Sequence, residues 1–431
     1  MSSFNGILYV VDVSNEMRLL FTTVVRTERE ERGTAHSHCL PLITTETKEK
    51  YDMSIQPFKI NIPQATLDDL HERLAHTRWP DEVEEAGWDY GTSLGYMKEL
   101  ANYWQHTYDW RKHEAALNTF THFKAEVDGV GIHFIHERGK GPNPTPLLLI
   151  HGFPDSFYRY HKVINRLTDP VKYGGDPSNS FDVIVPSIPG TGFSDRVTFS
   201  DDTNADLFAK LMTEVLGYGK FVSAGGDHGA IITQALARKH PEILIGIHLT
   251  DVGYPDQNTD FSQLTPAEME MAQWVQRWFM EEGIGVNMIM ATKPLTLAYG
   301  LSDSPVGLAS WLIGYGSSGQ HGKEELETRF SRDELLTNVM IYWVTATINS
   351  AVRAYYANAH VASGGNLGKS TTVPAAVAHC PYDPPLPREW AARQVNLKHF
   401  TEFPRGGHFM AWEEPELYAR DVQDFVSELR A

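Results

Sequence analysis

An α/β fold with a mostly parallel central sheet, a helical arm ahead of it and a helical insertion within it is predicted by three features of this 431-residue sequence. Short apolar runs alternate with helix-like stretches from about residue 125 onward, the pattern of strand–helix–strand units that build parallel sheets. The strand signal stops between about Tyr254 and Ala359, where a helical, aromatic-rich stretch takes over, and it resumes with TTVPAAVAHC and LKHFTEFP. Two amphipathic helical patterns lie upstream of the first alternating strand.

Residues 1–54 read as an extension of unknown role. Its apolar segment, ILYVVDVSNEMRLLFTTVV, is interrupted by Asp12, Glu16 and Arg18, well short of the roughly 20 apolar residues of a membrane helix. No basic region precedes it, so neither stable membrane insertion nor a cleaved signal is expected. Residues 55–124 read as the arm. FKINIP is strand-like, Leu67, Leu70 and Leu74 recur at helical spacing as far as the Trp79-Pro80 stop, and SLGYMKELANYWQHTYDWRKHEAAL reads as one helix with Met97, Leu100, Tyr103 and Trp104 on one face. Both stripes are packing surface, and the arm needs something to lie on. The sheet-bearing core is expected over 125–253 and 360–431, from FKAEVDGVGIHFIHE through TPLLLIHGFP, FDVIVPSIPG, KFVSAGGDHG and ILIGIHLTDV to the final helix EEPELYARDVQDFVSEL. The insertion, 254–359, has the size of a cap.

Apolar residues at 42% and charged residues at 21% lie near globular averages, which excludes a disordered or fibrous chain. With 37 basic against 55 acidic residues the net charge is −18, repelling nucleic acid and anionic membranes and favouring a neutral, largely apolar substrate. Cys39 and Cys380 are too few for a disulfide framework and stand in no metal-ligand spacing, which points to a reducing, cytoplasmic compartment. A homodimer is left open.

The run GGDHGA follows the strand-like FVSA and precedes the helix-like IITQALARKH. An aspartate there has two readings. Asp227 is a helix cap, accepting from free backbone N–H groups, or it is the residue thrust out of a strained strand-to-helix turn that Gly225 and Gly229 permit. Asp383, after one late strand, is either a turn aspartate before Pro384 or an acid; His408, after the next, is either a loop histidine or a base. Taken together, their chain order of nucleophile, acid and histidine is that of the α/β-hydrolase triad. A carboxylate nucleophile is ionised without help from a base and forms an ester at an sp³ carbon, so the electrophile is an epoxide or a haloalkane rather than an ester. Hydrolysis of that ester needs an oxyanion hole, which falls to the backbone N–H groups of His228 and of Phe153 in the HGFP turn. No G-x-S-x-G occurs, which argues against a serine esterase.

From Ile55 to Ala431 the sequence resembles the epoxide hydrolases of the α/β-hydrolase fold, specifically the microsomal-like branch with an N-terminal arm. The resemblance is carried by FKINIP with RWPDE, WRKHEAALNTFTHFKAEVDGVGIHFIHE, HGFPDSFYRYHKVI, PGTGFSD, GGDHGA, TKPLTLAYGLSDSPVGLASW, LLTNVMIYW and PRGGHF. It implies that Asp227 attacks the epoxide, that Asp383 and His408 drive hydrolysis, and that no metal or organic cofactor takes part. It also makes Met53, which opens MSIQPF, read like a family start.

Two departures stand out. The family has Trp after its nucleophile where this chain has His228, whose bland reading is a space-filling polar residue. The family also holds and protonates the epoxide oxygen with two cap tyrosines; one matches Tyr355, with Tyr356 as a competing register. The other position, seven residues before the Lys of TKP, is Val286, with Tyr299 nearby as a substitute or as mere cap packing. An altered cap suggests a specialised substrate, such as a polyfunctional epoxide of secondary metabolism. The rivals are an epoxide-opening isomerase or cyclase on the same site, a haloalkane dehalogenase, which would want the missing Trp, and a non-catalytic ligand-binding protein, which has no use for a water-activating pair.

Overall fold

The computed structural model describes residues 55–430 apart from 86, 257–258, 317–325 and 361–370, so the readings placed on residues 1–54 lie outside the described residues. Among those described, one sheet collects β1 (Gln56–Phe58), β2 (His122–Val127), β3 (Val130–Glu137), β4 (Thr145–Ile150), β5 (Phe181–Pro186), β6 (Phe221–Gly225), β7 (Leu244–Leu249), β8 (Pro374–His379) and β9 (Asn396–Glu402). Their order is β1-β2-β3-β5-β4-β6-β7-β8-β9. The first three are joined antiparallel, β3 to β5 included, and every pairing from β5 to β9 is parallel. The β2–β3 hairpin turns at Asp128-Gly129, both at positive φ (51° and 79°), as the tightest hairpin turns demand. Strands β5 and β6 are buried at every residue, which explains why FDVIVP and FVSAG read as continuous runs rather than alternations.

The stretch expected as one long arm helix is two, Leu94–His106 and Trp110–Leu117. The break has a local cause: Asp109 takes an extended conformation and its side chain accepts the Arg111 N–H, capping the second helix. The arm rests on the insertion. Leu67, Leu70, Leu74, Met97, Leu100 and Trp104 are buried in one cluster with Leu308, Leu312 and Leu336 of the cap helices Pro305–Gly316 and Arg332–Thr345. Polar contacts follow the same seam: the Tyr103 hydroxyl donates to Asp333 (2.8 Å), Thr92 Oγ1 to the Ser310 carbonyl (2.8 Å), and Arg73 pairs with Asp303 (2.7 Å). Burial of each large apolar side chain contributes about 1.5–3 kcal/mol, whereas an exposed pair such as Arg73–Asp303 contributes under about 1 kcal/mol. The apolar stripes therefore hold the arm, and the polar contacts set its register.

Among the described residues the insertion is built of helices, from Pro266–Trp278 to Ile348–Ala359. Among the described residues no single helix is long and apolar enough to cross a membrane.

Candidate active site

Strand β6 ends at Gly225 and the next helix, His228–Lys239, starts three residues later, which leaves Asp227 at φ 56°, ψ −131°. Few non-glycine residues occupy such a conformation, and it is held here by tight packing on both sides. A Cβ on Gly225 would lie 2.3 Å from the Gly229 carbonyl oxygen, and one on Gly229 only 2.0 Å from that of Ile150. The turn thus admits no side chain at either flank. Asp227 does not cap its own helix, since its side chain takes no N–H from beyond His228. Its Oδ1 instead accepts the Phe153 N–H (2.9 Å) from the turn after β4, and the His228 N–H also bonds the carboxylate. A Cβ on Gly152 would sit 2.2 Å from the same Oδ1, so the HGFP turn closes directly over this carboxylate. Behind that turn, Asp155 accepts the Gly152 N–H (3.0 Å) and forms a buried ion pair with Arg159, fixing the loop that carries Phe153.

His408 stands between two carboxylates, with Nδ1 3.2 Å from Asp383 Oδ1 and Nε2 3.6 Å from Asp227 Oδ2. Burial disfavours a charged imidazole, but Asp383 and Asp227 hold its proton well above the ordinary histidine range. Burial would likewise push the Asp227 carboxyl up, yet His408, the His228 ring and the His228 N–H outweigh it and keep the group well below the ordinary carboxylate range. The nucleophile position therefore holds an ionised carboxylate at any physiological pH.

The cap contributes Tyr355. Its ring meets Phe153 edge-on (centroids 5.7 Å, 78°) and His228 edge-on (4.9 Å, 85°), the two residues whose N–H groups reach Asp227. Tyr356 turns outward, 43% exposed and stacked on His360. Tyr299 is 72% exposed, and Val286, on the helix Ile284–Thr292, packs half-buried against the apolar cluster. A small, largely apolar cavity of about 30 Å³ lies beside the site between core and cap, lined by Pro154 and Phe409, neighbours of Phe153 and His408, and by Leu312, Leu335 and Val339 of the cap.

Three polar residues here were not singled out from the sequence. Asp251 follows β7, which lies between β6 and β8, so its carboxyl falls between the Asp227 and Asp383 loops. Burial pushes it up to about 6 against the Gly253 N–H bond (2.8 Å), with Asp383 adding to the rise. The signal was its place: the end of a parallel strand one position over from the elbow. Asp201 and Asn358 form the second polar group, with His228 Nδ1 2.9 Å from Asp201 Oδ2. Among the described residues no group of three or more His, Cys, Asp and Glu side chains is placed to hold a metal ion.

Burial would lower the His228 imidazole, but Asp201 raises it to about 9. Its folded-state value thus exceeds the ordinary 6.5, so the stability it contributes is complete below pH 6.5 and is lost as pH rises through about 9. A shift of that size corresponds to on the order of 3 kcal/mol. Thermal midpoints of wild type and His228→Gln from pH 6 to 10 are expected to converge as pH rises, since histidines common to both cancel in the difference. Parallel curves would show that His228 is not charged in the fold.

The sheet, the elbow and the order of the loop residues define an α/β hydrolase with a carboxylate at the nucleophile position. Comparison with known proteins agrees. Residues 55–160 match the family model "Epoxide hydrolase N terminus" and residues 145–415 match "alpha/beta hydrolase fold". Epoxide hydrolase 1 of Oryctolagus cuniculus is 36% identical over 409 residues, covering 87% of this chain and 89% of the rabbit protein. The crystal structure of juvenile hormone epoxide hydrolase from the silkworm Bombyx mori superposes with a TM-score of 0.81 at 29% identity, over 89% of this chain and 96% of that one. The Aspergillus niger epoxide hydrolase structure gives 0.76 at 27% identity, over 88% and 97%. The chain belongs to the epoxide hydrolases of the α/β-hydrolase fold, in the group that carries the N-terminal arm.

Proposed function

We propose that this enzyme converts a neutral, largely apolar epoxide to a vicinal diol through an ester on Asp227. The observation that carries the reading is the strained elbow, which presents a carboxylate at once to His408 and to two backbone N–H groups. In the first step an Asp227 oxygen attacks a ring carbon, the C–O bond of the epoxide breaks, and the departing alkoxide takes the Tyr355 hydroxyl proton, since an alkoxide is too basic to leave unaided. Ester formation removes the Asp227 charge that helped keep His408 protonated. His408, still oriented by Asp383, then titrates lower, gives its proton through solvent to the Tyr355 phenolate, and is left able to take a proton from water. The resulting hydroxide attacks Cγ of Asp227, the Phe153 and His228 N–H groups bind the oxyanion, and its collapse releases the diol. The proton of the attacking hydroxide passes from the new Asp227 carboxyl to the departing alkoxide, so the cycle ends with Asp227 ionised, His408 protonated and Tyr355 neutral.

The pocket beside the site, with Leu312, Leu335, Val339 and Phe409 on its walls, supports an apolar substrate. The test is isotopic. In a single turnover of styrene oxide with enzyme in excess in H₂¹⁸O, the diol is expected to carry unlabelled oxygen while the label enters the peptide containing Asp227. Label in the first-turnover diol would mean direct attack by water and end the covalent reading; a cyclic ether from a hydroxy-epoxide would put an internal hydroxyl in place of water.

A further inference from the structure

A second histidine–aspartate couple lies beside the first. Asp201, at the start of the helix Asp201–Lys210, is buried. Its Oδ2 receives both His228 Nδ1 (2.9 Å) and Asn358 Nδ2 (2.8 Å), and its backbone N–H donates to Asn358 Oδ1 (2.9 Å). Asn358 lies three residues after Tyr355 on the helix Ile348–Ala359, so the two share a face. Tyr355 then closes the circuit by resting edge-on against the His228 ring. The result is a ring of contacts that starts next to the nucleophile, passes through a buried carboxylate to the cap, and returns to the elbow through Tyr355.

The other end of this cap helix is tied separately: Ser350 Oγ donates to the Gly190 carbonyl (2.6 Å). Arg353 adds a tie to the Arg196 carbonyl (3.2 Å), and the Asn358–Asp201 bonds fix the last turn of the helix, beyond Tyr355. Charge-assisted bonds to a buried carboxylate are short and strong, which suits a fixed hinge stop. The charged groups around His228 are Asp201, Asp227 and Asp155, and Tyr355 is its aromatic neighbour; Nδ1 is committed to Asp201, so this couple is arranged to hold rather than to shuttle a proton.

We propose that Asp201, His228 and Asn358 are positioning residues that clasp the cap to the nucleophile elbow and thereby set Tyr355 at the distance from Asp227 that ring opening requires. This rests on the reading of Tyr355 as the acid, and the experiment separates the two. Rates of ester formation and of ester breakdown are measured by rapid quench and mass spectrometry with styrene oxide, for wild type, Asn358→Ala, Tyr355→Phe and the double variant. Misplacement of a reacting group by about 1 Å costs on the order of 100-fold, so Asn358→Ala is expected to slow ester formation about 10- to 100-fold while ester breakdown stays near wild type. In the double variant it is expected to add nothing to the loss from Tyr355→Phe. If Asn358→Ala does not fold, Asn358→Ser is read in the same cycle. A slow Tyr355→Phe with an additive double variant, or breakdown slowed as much as formation, overturns the clasp alone. Ester formation unchanged in Tyr355→Phe overturns both the acid assignment and the clasp built on it.

Discussion

Replacing His408 with Gln is expected to turn a catalyst into a protein that gains the mass of one substrate and stops. The reason lies in what each half of the reaction asks of its groups. Attack at an sp³ carbon needs an ionised carboxylate and no base. Without His408, Asp227 keeps the N–H groups of Phe153 and His228 and the nearby His228 ring, so it remains ionised at neutral pH and ester formation proceeds. Ester breakdown needs water activated at Cγ, and the group 3.6 Å from Asp227 Oδ2 that would do this is gone. Loss of a positioned base costs about 10²–10⁴ in rate, and the whole loss falls on the second step, so the ester accumulates. Intact-mass spectrometry after incubation with a substrate that wild type turns over reads the adduct, and digestion places it on the peptide with Asp227. Asp227→Ala is expected to show neither adduct nor turnover. If His408→Gln gains no mass, the two-step mechanism fails.

Much of this site is legible in the sequence because each of its main residues sits immediately after a strand. GGDHGA can be read as an elbow since small residues two positions either side of an aspartate have few other uses. Asp383 and His408 can be read because each follows a strand-like run, the apolar PAAVAH of β8 and the mixed NLKHFTE of β9, with proline and glycine after it. What could not be read needs contacts between distant segments. The Asp201–His228 pair spans two helices, and nothing local to either residue requires the other. The resting place of the arm is likewise invisible, because an amphipathic stripe shows that a helix is covered and not by what. The break at Asp109 is a capping effect hidden inside an otherwise continuous helical pattern. The register of the cap tyrosine is an intermediate case. Ile348, Ala351 and Val352 are buried on their helix, and positions 355 (i+7) and 356 (i+8) both continue that spacing. Helical periodicity therefore leaves both registers open, and it is packing that decides: the Tyr355 ring meets Phe153 and His228 while Tyr356 turns outward onto His360.

Tyr355→Phe is expected to lower kcat/KM on a small epoxide by about 10²–10⁴, the usual contribution of one well-placed acid. The expectation is at the severe end because the cap offers no second phenol at the position where related enzymes would be matched by Val286. That residue is half-buried against the apolar cluster, and Tyr299 and Tyr356 turn most of their surface to solvent. Tyr342 is nearer, meeting Phe153 edge-on at 6.1 Å, but its hydroxyl donates to the Asp155 carbonyl and is already used. A phenol lost from a pair leaves its partner to carry the developing alkoxide; here none of Tyr299, Tyr342 and Tyr356 is placed to take that part. The phenylalanine ring keeps the edge contacts to Phe153 and His228, and the loss should appear in ester formation rather than breakdown. Val286→Tyr provides the converse: where its helix accommodates the larger ring, a second hydrogen bond to the alkoxide raises kcat/KM on the same substrate and restores part of what Tyr355→Phe removes. A Tyr355→Phe enzyme within a few-fold of wild type would place the acid elsewhere.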